Sequence, residues 1–137
     1  MLSTPTVMLH HIALGARDVA TVARFYAAAF NLRVLQEHQD DKGGLRSIWL
    51  HLGGTILMVE RTESPALGVE GVGAGPFLLA FRVDAAARDA TEAHLIKLGA
   101  SIEARTAATS YARDPEGNRI AISHYPEPKR SAEPIKP

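Results

Sequence analysis

The chain has 137 residues, no cysteine, and 15 basic against 15 acidic side chains, giving a formal net charge of zero. That length suits one well-buried core, and the missing thiols exclude disulfides, thiolate metal centres and iron–sulfur clusters. The charge balance leaves no footprint for nucleic acid, no run reaches the ~18 apolar residues of a membrane span, and no signal-peptide pattern opens the chain. The expectation is a cytoplasmic protein with neither nucleic-acid nor membrane partners.

After a short polar lead, Ile12, Leu14 and Ala16 alternate with His11, Ala13 and Gly15, the period of two that marks a strand with one buried face. The odd face carries an imidazole and two very small residues, so it closes against something near or lines a cavity. Asp18 can cap a helix from Val19 to about Phe30, whose apolar stripe is Val19, Val22, Tyr26 and the pair Ala23/Phe30. Val34 to Asp41 reads as a second strand, followed by the turn signal Asp40 to Gly44. Ser47 to Leu52 and Thr55 to Glu60 form a hairpin about Gly53-Gly54. If those glycines are the turn, Leu52 faces Thr55, Trp49 faces Met58 and Ser47 faces Glu60.

Residues 62–76, rich in glycine and holding two prolines, read as a linker. The opening pattern then recurs: Leu79, Phe81 and Val83 alternate with Leu78, Ala80 and Arg82, Asp84 caps, Ala85 to Leu98 is helical and Gly99 stops it. Ala100–Arg105, Ser110–Arg113 and Arg119–Tyr125 supply three more strands, the last two separated by the turn Asp114 to Asn118. The tail 126–137, proline-rich with alternating charge, reads as disordered. The result is a tandem βαβββ duplication with a period of about 67 residues. It is one α+β domain over 1–125, with units near 8–61 and 77–125. Each unit turns one apolar sheet face to its own helix: Ile12/Leu14, Ile48/Leu50 and Leu57/Val59 in the first, Leu79/Phe81/Val83 and Ile120/Ile122 in the second.

Four features carry a family likeness: His11-Ile12-Ala13-Leu14 opening a βαβββ unit, Phe25-Tyr26 late in its helix, Ala80 to Asp84 opening the second, and Asp114-Pro115-Glu116-Gly117-Asn118 before the last strand. The chain resembles the vicinal oxygen chelate superfamily, which contains glyoxalase I, extradiol dioxygenases, fosfomycin-resistance enzymes and bleomycin-resistance proteins. The resemblance implies a curved, mixed eight-stranded sheet forming a cup with helices on its convex face, and commonly a homodimer. It also implies a divalent metal held by histidines and carboxylates from the first and last strands of each unit. Those positions fall on His11, Met58, Leu78 and Ala121, of which only His11 is a usual ligand. No resident cofactor is therefore expected. A divalent metal would need a non-standard set from His11, His51 and Glu60, a metal-dependent lyase, isomerase or dioxygenase being the alternative function.

His11 is open to three roles: a relic ligand, a hydrogen-bonding group for a bound molecule, or a histidine satisfied by a backbone carbonyl. Trp49 and Met58 share its face with His51 and Glu60, and such a mixture of apolar and polar groups suits a small-molecule site. Leu78 and Ala121 add apolar surface, and Arg82 or Arg119 can hold an anionic group. His11 and Glu60 are the candidate bases for any catalysis. The expected function is binding of a planar or partly apolar small molecule by a protein with a degenerate metal site.

Overall fold

The computed structural model describes residues 4–66 and 68–126; apart from Pro126, the tail expected to be disordered lies outside them. The chain divides into two compact units, Met1–Pro65 and Ala66–Pro137. Among the described residues no helix is long and apolar enough to cross a membrane.

The first unit runs β1 (His11–Ala16), α1 (Val19–Phe30), β2 (Val34–Gln39), β3 (Leu45–Leu52) and β4 (Thr55–Arg61). Its sheet has the order β1-β4-β3-β2, with β1 parallel to β4 and the other pairs antiparallel. Gly53, at φ 59°, makes the two-residue turn that sets the expected hairpin register: Leu52 opposite Thr55, Trp49 opposite Met58, Ser47 opposite Glu60. Asp18 caps α1, its carboxylate accepting the Thr21 N–H at 3.0 Å and hydroxyl at 2.8 Å. Asn31, left-handed at φ 55°, closes the helix. Leu50, Leu57 and Val59 on the sheet and Val22, Ala23, Phe25 and Tyr26 on the helix are the buried core. Phe25 was not in the expected stripe, but at three residues after Val22 it lies on the same side of the helix. The β2–β3 turn is braced from below: Asp40 accepts the N–H groups of Lys42 and Gly44 and pairs with Arg61 at 2.8 Å.

The second unit repeats this as β5 (Leu79–Arg82), α2 (Arg88–Lys97), β6 (Ser101–Arg105), β7 (Thr109–Arg113) and β8 (Arg119–Ser123), in the order β5-β8-β7-β6. Again the first strand runs parallel to the last. The repeat is exact in register: Ala13 opposite Met58 and Met58 opposite Trp49 have their counterparts in Ala80 opposite Ala121 and Ala121 opposite Tyr111. The α+β class and the two βαβββ units are those the resemblance implies. Hydrogen bonding divides the eight strands into two sheets of four, because the parallel pairs β1–β4 and β5–β8 complete each sheet within its own unit.

Two local expectations are corrected. The second helix is not continuous from Ala85: a 3₁₀ turn at Ala85–Ala87 precedes α2, and Asp84 makes no side-chain capping bond. The Arg88 side chain instead leaves the helix start for Ser110 Oγ and the carbonyls of Thr106, Ala107 and Thr109, at 2.8–2.9 Å. Leu78 also lies just before β5 rather than in it.

Beneath α2 the second unit departs chemically from the first. Where Ile48 faces Val59 in the first sheet, Ser110 faces Ile122 in the second. The Ser110 hydroxyl donates to the carboxylate of Glu92, which Arg105 clamps at 2.7–3.1 Å. Glu92 is buried, and Arg105 is the main cause that holds its carboxyl below the ordinary glutamate range. A lowered folded value means stability present above the unfolded value and lost as pH falls through the folded one. Glu92→Gln is therefore expected to cost about 1–2 kcal/mol at pH 7. The gap from wild type should close progressively below about pH 4.3, as followed by thermal melts from pH 7 to 3.

Candidate functional site

On the first sheet the face opposite the apolar core is built in three rows by strand register. His11, Ile56 and His51 form the first, Ala13, Met58, Trp49 and Gln36 the second, and Gly15, Glu60, Ser47 and His38 the third. Alternation along each strand puts these side chains on one side. Trp49 is their centre. His11 lies near-parallel to it, ring centroids 6.0 Å apart at 19°, and His38 lies tilted at 5.2 Å. The Nδ1 atoms of His10 and His11 are 2.9 Å apart, so His10 supports His11 directly. Thr55 fastens the same segment by donating to the His10 carbonyl at 2.9 Å.

The indole Nε1 of Trp49 and the Nε2 of His38 are buried and have no hydrogen-bond partner among the described residues. A buried donor without an acceptor costs about 1–3 kcal/mol, and it is the kind of group that a bound molecule's oxygen satisfies. His38 was not a candidate from sequence. The alternation of Val34, Gln36 and His38 was legible, but two register shifts in the β2–β3 pairing decide which of them sits beside Trp49.

The metal positions fit poorly. Met58 and Ala121 sit in their strands where carboxylates or histidines would be needed, and Leu78 has no donor atom. The substitute set is spread widely along and across the sheet. His11 and His51 flank Ile56 from opposite sides, their backbones two strand spacings or ~9.6 Å apart. Glu60 lies four residues beyond Ile56, ~13 Å along β4. Among the described residues no group of three histidine or acidic side chains could hold a metal ion.

On the second sheet Ala121 is 1% exposed and offers no surface. Its neighbour Tyr111 takes the place that Trp49 has in the first sheet. Arg82 is exposed at the end of β5, and Leu78 is half-buried. Arg119 is brought together with groups that sequence reasoning missed: its guanidinium carbon lies 4.7 Å from the Tyr111 ring centroid, and its Nε donates to Glu103, which Arg113 also binds. The period of about 67 residues holds only for the opening strands and does not lead from Trp49 to Tyr111; the strand pairing, Tyr111 opposite Ala121 as Trp49 is opposite Met58, shows the equivalence. The Asp114–Asn118 turn is structural: the Asp114 carboxylate accepts the N–H groups of Glu116 and Asn118 and the Asn118 side chain at 2.8–3.0 Å.

A family model for the glyoxalase-like domain matches residues 11–123. The chain belongs to the glyoxalase-like domain family. The fold is shared with structures of the vicinal oxygen chelate superfamily. A fosfomycin resistance protein FosX from Mesorhizobium loti superposes with a TM-score of 0.72 at 17% identity, covering 94% of this chain and all (100%) of its own. A glyoxalase family protein from Enterococcus faecalis gives 0.65 at 22% identity, covering 85% and 96%. A lactoylglutathione lyase from Agrobacterium tumefaciens gives 0.62 at 19% identity, covering 95% and 100%. No curated protein matches the chain. At these identities the likeness is one of fold, and function must come from the site.

The donor set sets an expectation for metal. Protein incubated with nickel or zinc and then desalted should retain well below one equivalent by elemental analysis. One tightly held equivalent per chain would require ligands other than the set above.

Proposed function

We propose that this chain is a small-molecule-binding member of the glyoxalase-like family, taking a planar, partly apolar ligand on the face of its first sheet that carries Trp49. The observation that supports it is the pair of buried, unpartnered nitrogens, Trp49 Nε1 and His38 Nε2, beside the His11 and Met58 side chains. The indole gives a stacking surface and the two nitrogens fix a ligand oxygen; His11, exposed at the edge, adds a further hydrogen bond. His51 and Glu60 lie at the flanks of this surface rather than at its centre.

The lyase and fosfomycin-resistance activities named for the structural neighbours belong to those proteins. A glyoxalase-type mechanism needs a Lewis acid to polarise vicinal oxygens, and three of the four family positions here carry side chains unsuited to hold one. A bleomycin-type cation finds no acidic field in a chain of zero net charge. A neutral or anionic flat molecule is the better match.

Stacking of a flat ring on an aromatic side chain is worth ~1–3 kcal/mol, so micromolar affinity is expected. The single tryptophan reports binding directly. Flat aromatic acids and quinone-like compounds should quench its fluorescence saturably in the wild type, and His38→Ala should weaken binding about tenfold, ~1.4 kcal/mol. Absence of quenching by every compound, or equal quenching in the variant, would remove the support for this site.

The same reading extends to association: the protein is proposed to act as a homodimer in the cytoplasm. Light scattering at micromolar concentration should give twice the chain mass of 14.7 kDa; the single-chain mass would sink the dimer.

A further inference from the structure

The geometry points to a second binding element, on the second sheet: the Arg119 guanidinium is a receptor for the carboxylate of a small organic acid, held in place by Glu103 and Tyr111. This goes beyond the ligand reading above and draws on none of the first unit's residues.

Arg119 opens β8, and its side chain is only 14% exposed. Its Nε donates to one oxygen of Glu103 at 3.0 Å, and its guanidinium carbon lies 4.7 Å from the centroid of the Tyr111 ring. Those two contacts fix the fork while leaving its working end free. Neither Nη group has an acceptor among the described residues, so four N–H bonds remain unused. A carboxylate is the planar, two-pronged acceptor that such a fork takes bidentately.

The neighbouring cations are not equivalent. Arg113 is occupied, its Nε on the other Glu103 oxygen at 3.0 Å and its Nη1 on the Gly117 carbonyl at 3.2 Å, with Glu70 at 3.8 Å from Nη2. Glu103 is thus shared between two guanidiniums, of which Arg113 alone has Glu70 as a second carboxylate partner. Arg82 is exposed at the strand end and would lose its rotamer freedom on binding. Arg119 has already lost that freedom in the free protein, so a ligand meets a preorganised group. Glu103 is a positioning residue here, because it acts on the ligand only through Arg119.

Benzoate and its neutral amide, benzamide, test the assignment. The readout is the Arg119 Nε–H and Tyr111 ring signals in NMR spectra of the full chain. Benzoate should shift both saturably and benzamide should not. Arg119→Gln should weaken benzoate binding at least tenfold, read at Tyr111. Arg119→Lys, which keeps the charge but loses the fork, should fall nearly as far. Arg82→Gln should bind as wild type, and Glu103→Gln should weaken benzoate while leaving a saturable Tyr111 shift. Equal binding of benzamide, unchanged benzoate binding in Arg119→Gln, or tighter binding of inorganic phosphate at the same signals would overturn the proposal. If Arg119→Gln does not fold, the wild-type comparison of benzoate with benzamide at the Arg119 signal decides alone. Quenching of Trp49 is scored separately, so loss of the first-sheet ligand site and loss of this one are told apart.

Discussion

The parallel pairing of β1 with β4 is the constraint on which the rest of the first unit depends. It sets Ala13 beside Met58 and Leu14 beside Val59, and thereby decides which residues of two sequence-distant strands share a side. Side chains alternate with a period of two, so a slip of one residue would carry Leu57 and Val59 out of the core and put Met58 and Glu60 into it. Burying glutamate against α1 would be costly. The hydrophobic pattern and the site are therefore specified together: the same register that buries Leu50, Leu57 and Val59 presents His11, Trp49 and His38.

The second unit reuses this constraint with different chemistry. Position for position, an indole becomes a phenol ring, Trp49 to Tyr111, and the methionine opposite it becomes Ala121. The half-buried flank changes from His51 and Ile56 to Arg113 and Arg119. Under the helix, Ile48 becomes Ser110, and a buried carboxylate from α2 comes with it. One backbone plan thus supports an aromatic, imidazole-rich face in one sheet and a guanidinium-rich face in the other, as expected where a fold constrains the scaffold and leaves the side chains free.

What could be read from the chain follows the range of the interactions involved. The hairpin about Gly53-Gly54 was legible because its turn is two residues long and the partners are close in sequence. The α1 boundaries were legible because Asp18 and Thr21 lie one turn apart. The start of α2 was not, because the groups that organise it, Ser110 and the carbonyls of the β6–β7 turn, are about twenty residues away and give no local signal. His38 was missed because irregular pairing in β2 shifts its register. Glu103 was missed because no pattern of single residues shows one carboxylate being shared by arginines ten and sixteen residues later.

The contrast between the two helix starts bears on the order in which the chain acquires structure. α1 is capped from within: Asp18, Thr21 and the closing Asn31 all belong to one short stretch, although a 12-residue helix still draws its stability from packing on the sheet. The start of α2 is anchored by Arg88 to a hairpin made later in the chain. Until β6 and β7 have paired, those acceptors are not in place, and the loop closure has to be met first. The two halves of this duplicated chain therefore differ in the sequence distance over which the helix start is held. The first unit fixes its helix start with residues of the helix itself, whereas the second fixes its own with the β6–β7 turn.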